Sequence, residues 1–487
     1  MQFISRARLS SDSELGHFCN GVGWTTLRNG TLKPAKLDSL EDGSSEHSPN
    51  APRQIPLQRH EYTGHPGGTA VFLKNAGKNA TKAFVPIHPP GTLSMLLLEA
   101  YIGPVDPATL PKEVVEQTEE EKRIAKARAN LPPPEAALNI NDIAKFAEQV
   151  LTSTACAYYR SAGDDNYSFD ENTVAFKRFW FKPRVMNKVS QVSTRASILG
   201  HPYSLPVFIC PAALARLGHP DGEMNLIRAA ADGQIAMGLS INASSFILPD
   251  IPKQDRGASA ALIKRVEKEG FKSILLTVDA AVAGKRELDQ RAKGNFSGPA
   301  NSTADKNRGP GVAHAISGYQ DPDITWDDIP WIQSLTNLPL IIKGIQCAEG
   351  IIISNHGGRS LDFAPAPMTV LYELHQRRPD LIKNKEVYID GGVTRGTNVL
   401  KALCLGARGV GMGRAFLYTN GTWGEAGVRR VVQNEIFCCC DVLRTDDYEV
   451  MREEIETSMR LLGVTSLDQL TPDHVRYVDR ALPPSKL

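Results

Sequence analysis

Residues 351–359 read Ile351-Ile352-Ile353-Ser354-Asn355-His356-Gly357-Gly358-Arg359. A short run of β-branched apolar residues is the pattern of a strand buried on both faces. Here it delivers a histidine and an arginine onto the loop that follows. A base and a fixed cation on one loop suit proton abstraction from an anionic substrate. Taken alone, a histidine beside glycines is more often a turn or a capped core residue than a base. The rest of the chain shifts that balance, because it supplies several strand ends of the same kind.

Working outward from this stretch, short apolar runs alternate with helical segments from residue 139 onward. The runs are Val207-Phe208-Ile209, Ala236-Met237-Gly238-Leu239, Ile274-Leu275-Leu276, Leu340-Ile341-Ile342, Val387-Tyr388-Ile389 and Gly409-Val410-Gly411-Met412. Helical patterns fall at 258–269 and near 397–404, and Asn141 is placed to cap a helix with apolar positions Ile143, Phe146, Ala147, Val150 and Leu151. Buried strands separated by helices predict a parallel α/β sheet, and its closed form is a TIM (β/α)8-type barrel. In such a barrel the chemistry collects at the C-terminal ends of the strands. Those ends carry Pro211-Ala212-Ala213, Ser240, Thr277-Val278-Asp279, Lys343-Gly344, Ser354-Asn355-His356, Asp390-Gly391-Gly392 and Gly413-Arg414. The last two ends are glycine-rich and follow consecutive strands. Loops after the final strands of a barrel commonly cradle phosphate, glycine letting backbone N–H groups approach and Arg414 adding a bidentate cation. Each motif singly is equally well a tight turn; in order and separated by one helix, they favour phosphate.

The bulk numbers exclude several classes. With 487 residues, 41% hydrophobic and 22% charged, the composition is that of an ordinary globular protein of two or three domains. A net charge of +1 offers no field to favour nucleic acid or an anionic membrane. No apolar run is long enough to predict a membrane span. Arg6 and Arg8 precede the first acid, Asp12, which admits a mitochondrial leader; the compartment stays open between the mitochondrial intermembrane space and the cytoplasm. The eight cysteines, Cys19, Cys156, Cys210, Cys347, Cys404 and Cys438 to Cys440, form no zinc-type CxxC pairs, and we expect reduced thiols.

The chain divides into four parts: 1–58, rich in Ser, Gly, Asn and Pro and expected to lack a packed core; 59–103, a small compact segment; 104–138, a linker with a solvated charged helix at 119–123 and the Pro132-Pro133-Pro134 triplet; and 139–487, the barrel.

The runs Leu276 to Asp279, Ser354 to Asp362, Asp390 to Thr397 and Gly409 to Tyr418, with Phe181-Lys182-Pro183-Arg184 and Leu217-Gly218-His219-Pro220, resemble the FMN-dependent α-hydroxy acid dehydrogenase family over most of residues 140–485. The resemblance implies oxidation of a small L-2-hydroxy acid such as lactate to a 2-keto acid. It makes His356 the active-site base, Asp279 its partner, Arg359 and Tyr158 the substrate-carboxylate contacts, and Arg286 a second arginine near the substrate. It gives Ala213, Ser240, Thr277 and Lys343 to the flavin ring, and Asp390, Gly391, Gly392, Gly413 and Arg414 to the ribityl phosphate. A carboxylate beside the imidazole is expected to raise its pKa. Relatives often form homo-oligomers.

Upstream, His65-Pro66-Gly67-Gly68 and His88 resemble the axial histidine loops of a cytochrome b5-type domain, truncated here. The resemblance implies haem b held by two imidazoles, with cytochrome c as the onward electron acceptor. The strands that should precede the first loop have no counterpart in 1–58.

Three departures lead us to expect an incomplete barrel. Leu340–Ile345 and Ile351–Ser354 are joined by a handful of residues, where parallel neighbours need a crossover of about a dozen; they could form one bent element. The family's third strand, bearing a Gln and a Tyr near flavin and substrate, has no counterpart between Ala243 and Lys264. Residues Asn434 to Asp446 interrupt the approach to the helix at 450–462. Thr394 also replaces a phosphate-holding arginine, leaving Arg395 beside it. The alternatives are a catalytically impaired relative retaining at most FMN or haem, and an oxygen-using 2-hydroxy acid oxidase.

Overall fold

The structure, a computed structural model, describes residues 80–88, 92, 117–244, 256–293, 312–313, 321–345, 351–432 and 450–478, together with the backbone of strands Gln2–Ser5, Trp24–Thr26 and Leu32–Pro34. His65, the cysteine triplet and most of the segment 59–103 lie outside the described residues.

The barrel strands are β1 (Gln2–Ser5), β2 (Val207–Ile209), β3 (Ala236–Ser240), β4 (Ser273–Thr277), β5 (Leu340–Lys343), β6 (Ile351–Ile353), β7 (Val387–Asp390) and β8 (Gly409–Met412). Around the barrel they run β1-β3-β2-β8-β7-β6-β5-β4, and β4 returns to β1. Strands β2 to β8 form a curled parallel sheet. The place between β3 and β4 is taken by β1, antiparallel to both. Among the described residues the parallel set has seven strands, and Gln2–Ser5, far away in sequence, takes the eighth place.

The short link between β5 and β6 also has a physical answer. These are two separate strands, not one bent element. They overlap only through Ile342↔Ile351 and Lys343↔Ile352, and Gly344 at φ +101° turns the chain immediately. Because β6 begins beside the end of β5, the connection need not travel back down the barrel.

Side-chain alternation places the chemistry. Phe208, Leu275, Ile341, Ile352 and Tyr388 form a cluster separate from the main core, joined at one end by Ile198, Leu199 and Tyr203 of the hairpin Ala196–Ile198/His201–Tyr203. These residues fill the barrel interior. Two positions further along each strand, on the same face, stand Cys210, Thr277, Lys343, Ser354 and Asp390. The outward-facing residues, such as Val207, Ile274, Ile351 and Ile389, belong to the larger core packed under the helices.

Helix Ile140–Val150 buries Ile140, Ile143, Ala147 and Val150, as its period predicts. Its cap is Asn139, not Asn141: the Asn139 side chain accepts from the Asn141 and Asp142 N–H groups at 2.9 and 3.1 Å. The charged run at 119–123 opens helix Glu119–Ala129, started by a Thr118/Glu121 capping box. This stretch is docked rather than loose, since Arg123 donates to the carbonyls of Gln149 and Leu151 and Arg128 to that of Gly421. No helix among the described residues is long and apolar enough to cross a membrane.

Candidate active site

A cavity of about 420 Å³ opens at the C-terminal mouth of the barrel. Its lining includes Tyr158, Ala213, Ser240, Arg286, Lys343, His356, Arg359, Asp390, Gly391, Gly392, Gly413 and Arg414. All but two of the residues singled out for the barrel from sequence are in this wall. Asp279 stands directly behind His356 and Lys343, and Thr277 ends β4 level with Lys343.

His356 reaches its position through a costly backbone. It lies at φ +56°, followed by Gly357 at +64° and Gly358 at +75°. A non-glycine residue in this region is strained by roughly 1–3 kcal/mol, and the surrounding bonds hold it there. Ser354 Oγ accepts from the His356 N–H at 3.0 Å. Asn355 Oδ1 accepts from the Gly358 N–H at 3.1 Å, and its amide is paired with that of Asn172 at 2.7 and 2.9 Å. The strained turn aims Nδ1 of His356 at Asp279 Oδ1, 2.7 Å away.

Behind the histidine runs a buried charge relay. Lys343 Nζ donates to Ser354 Oγ at 2.9 Å and to Asp279 Oδ2 at 3.2 Å, with Asp390 Oδ2 at 3.7 Å. Burial opposes ionisation of Asp279, but Lys343 and His356 outweigh it and hold the carboxyl well below its usual range. Burial likewise opposes charging Lys343, and the two aspartates more than reverse it, so the ammonium is retained. For His356 the balance goes the other way. Desolvation pulls its pKa below the ordinary value, and the opposing pull of Asp279 does not recover it. The carboxylate does favour the charged form, as expected, but burial wins; the ring is neutral at pH 7 and able to accept a proton.

On the facing wall lie three guanidinium groups. Helix Ser153–Arg160 ends with its carbonyls toward the cavity. Arg359 donates to the carbonyls of Tyr158 and Tyr159 at 3.0 and 2.5 Å, and Arg414 to those of Tyr159, Gly357 and Ser161 at 3.1, 2.8 and 3.4 Å. Cations at a helix C-terminus complement its dipole and its unpaired carbonyls. Arg286 Nε donates to the Arg359 carbonyl at 3.2 Å. None of the three forms a salt bridge with a carboxylate among the described residues. Burial, reinforced by the neighbouring Arg359, brings Arg286 down to about 10 and Arg414 down to about 9. An anion entering here would relieve the mutual repulsion. Arg359 Nε is buried with no partner, a donor awaiting an acceptor.

The glycine turn after β7 forms the other end of the cavity. Gly391 and Gly392 sit at φ +88° and +74°, and a Cβ on Gly392 would lie 2.1 Å from the Asn172 carbonyl oxygen. Only glycine fits that approach. Asp390 Oδ1 is buried and unpartnered. Arg414 lines the cavity, but its hydrogen bonds go to the carbonyls of Tyr159, Ser161 and Gly357. Arg395 is paired with Glu454 at 2.7 Å, so it does not stand in for the arginine replaced by Thr394. The arginines expected near a phosphate are thus already engaged by protein groups.

Sequence reasoning noted Ser354 at a strand end but gave it no role, and gave none to Cys210; Ser354 holds both Lys343 and the His356 N–H, and the Cys210 thiol donates to Asp390 at 3.6 Å. The signal was available for both. Each is two residues beyond an interior core residue and so shares its face.

His88 lies beyond the short helix Thr81–Phe84. It stacks on Phe84 at 3.9 Å between ring centroids, with Nδ1 3.0 Å from the Phe84 carbonyl oxygen.

The residues present fit a flavin mononucleotide. The cavity has the volume of a cofactor pocket, a cation beneath it, a glycine cradle at one end, and an unpartnered buried acceptor in Asp390. Comparison with known proteins agrees. The FMN-dependent dehydrogenase family model matches residues 147–477. The L-lactate dehydrogenase (cytochrome) of Wickerhamomyces anomalus is 36% identical, the match covering 87% of this chain and 76% of that one. Glycolate oxidase 1 of Oryza sativa subsp. indica is also 36% identical, covering 70% and 96%. A solved structure of a flavocytochrome b2 double mutant with pyruvate bound is 35% identical and superposes with a TM-score of 0.63, covering 76% of this chain and 94% of that one. The chain belongs to the FMN-dependent 2-hydroxy acid dehydrogenase family.

Proposed function

We propose that the chain oxidises a small L-2-hydroxy acid, lactate-like, to the 2-keto acid, with His356 as base and Arg359 as carboxylate anchor. FMN, when bound, supplies the acceptor for the electron pair. Neutral His356 takes the substrate proton at Nε2, because Nδ1 is committed to Asp279, and Asp279 stabilises the imidazolium that results. Arg359, through its unpartnered Nε, and Arg286 and Tyr158 hold the carboxylate. Lys343, carried by β5 beneath the cavity, supplies positive charge where electron density accumulates. Ala213, Ser240 and Thr277 edge the ring position, while Asp390, Gly391, Gly392 and Gly413 take the ribityl chain and phosphate, with Arg414 as the nearby cation.

The observation that carries this reading is the convergence on one cavity of a desolvated, carboxylate-oriented imidazole and a guanidinium whose buried Nε has no partner. The test is His356→Gln. FMN affinity is expected to stay within about threefold, while substrate-dependent bleaching of the flavin falls by at least about 10². Unchanged bleaching would overturn the role of His356.

For the electron acceptor, we propose a haem relay through His65 and His88 to a cytochrome c, a reading supported by the HPGG motif and by the cytochrome-type relative. A Soret band in haem-supplemented protein, lost in His88→Ala, is expected. No Soret band, with hydrogen peroxide formed in step with substrate, would favour the oxygen-using alternative that the glycolate oxidase likeness raises.

A further inference from the structure

Every neighbouring pair among β2 to β8 is parallel; β1 alone runs the other way. Its register sets Gln2 opposite Ser240 of β3 and Leu275 of β4, and Ile4 opposite Gly238 and Ser273. The strand therefore begins at the mouth of the barrel and runs away from it, entering the wall beside Ser240, a residue assigned to the cofactor site, and two residues short of Thr277 on β4.

We propose that residues 2–5 are a docked, replaceable stave, that the slot between β3 and β4 is their acceptor, and that docking completes the cofactor cavity. Without β1, two central strands would face each other across an open slot, with the backbone N–H and C=O groups along both edges unpaired. Buried backbone groups left in that state are costly. All five positions of β3 are buried, and so are Ser273 to Leu276 of β4, so neither strand has the short, charged character of one built to be an edge. Among the described residues, the chain between β3 and β4 contributes only helix Arg256–Lys268, so the slot is filled from elsewhere.

The docking mode is strand addition, in which main-chain hydrogen bonds supply the affinity. Ser5 and Val207 of β2 are far apart in sequence, but closure entropy grows only with the logarithm of that separation. A tethered segment still acts at an effective concentration far above that of a free peptide. The consequence is a switch: whatever sequesters or removes residues 2–5 opens the wall at Ser240. The link to the cofactor rests on the reading of the cavity as an FMN site; the docking itself does not.

Three measurements on the full chain and on a variant lacking residues 2–6 test this. Hydrogen exchange at the β3 and β4 amides should be at least about tenfold faster in the deletion variant. FMN affinity should fall at least about tenfold, and a peptide of residues 1–8 at about 1 mM should restore it. Unchanged exchange in β3 and β4 would overturn the proposal. Should the deletion variant fail to fold, Phe3→Cys/Leu239→Cys in the full chain decides: mild oxidation is expected to join the peptides holding positions 3 and 239, and failure to join them refutes the docking. If the full chain itself takes up no FMN, the cofactor reading fails, while exchange and cross-linking still decide the stave.

Discussion

Asp279→Asn removes one negative charge and keeps the shape. In the structure that carboxylate is shared, 2.7 Å from His356 Nδ1 and 3.2 Å from Lys343 Nζ. Unit charges about 4 Å apart interact by about 4 kcal/mol at an effective dielectric of about 20. The neighbouring ammonium offsets part of this, so the imidazolium formed on proton transfer should lose about 2–4 kcal/mol of support. At about 1.4 kcal/mol per decade, substrate-dependent flavin reduction should slow by roughly 30- to 1,000-fold. Lys343 keeps Ser354 at 2.9 Å and Asp390 at 3.7 Å, so the fold and FMN affinity should survive. The sign of the pH effect is fixed as well. Asp279 raises the pKa of His356 against burial, so its removal should move the rising limb of the pH–rate profile to lower pH. Anaerobic stopped-flow bleaching of the flavin across pH reads both quantities. A rate within about threefold of the parent, or a limb moving to higher pH, would refute the reasoning.

Other consequences follow from the same geometry. In the parent protein, kcat/KM should rise with pH through an apparent pKa below about 6.5 and be flat at neutrality, since His356 is held below its ordinary value; a limb centred above about 7 would contradict this. Lys343→Met leaves Asp279 and Asp390 buried without their shared ammonium and should destabilise the protein by about 3–5 kcal/mol in chemical unfolding. That loss should shrink at acid pH, because protonating a carboxylate relieves it. Arg359→Lys should raise KM by about 10- to 100-fold, with FMN affinity little changed, because a lysine cannot both bond the Tyr158 and Tyr159 carbonyls and present a second donor; an unchanged KM would remove Arg359 from the substrate site.

Much of the barrel was legible in the sequence because β-branched runs bounded by glycine and polar residues mark buried strands well. Alternation then carried the side chains at their ends onto one face, which is why Lys343 and Asp390 come together, while His356 joins them through the strained turn after β6. What escaped the sequence was non-local. Strand β1 lies far in sequence from the strands it pairs with, so no local period announces that Gln2–Ser5 belongs between β3 and β4. The shift of two residues in the helix cap, from Asn141 to Asn139, is the usual looseness of helix ends. The His356 pKa went opposite to the pairwise argument because burial is a property of the whole fold. Arg414 was expected at the phosphate; its bonds to carbonyls at the end of helix Ser153–Arg160 could not be foreseen from a strand-end motif.

The central claim is that imidazole, guanidinium and glycine cradle surround one bound flavin. Its most direct measurement is anaerobic addition of L-lactate, and then of other L-2-hydroxy acids, to the FMN-loaded protein, followed at the flavin absorbance band. The account predicts stoichiometric bleaching by at least one of these acids and appearance of the matching 2-keto acid. Tight FMN uptake with no bleaching by any of them, or no FMN uptake at all, would contradict it.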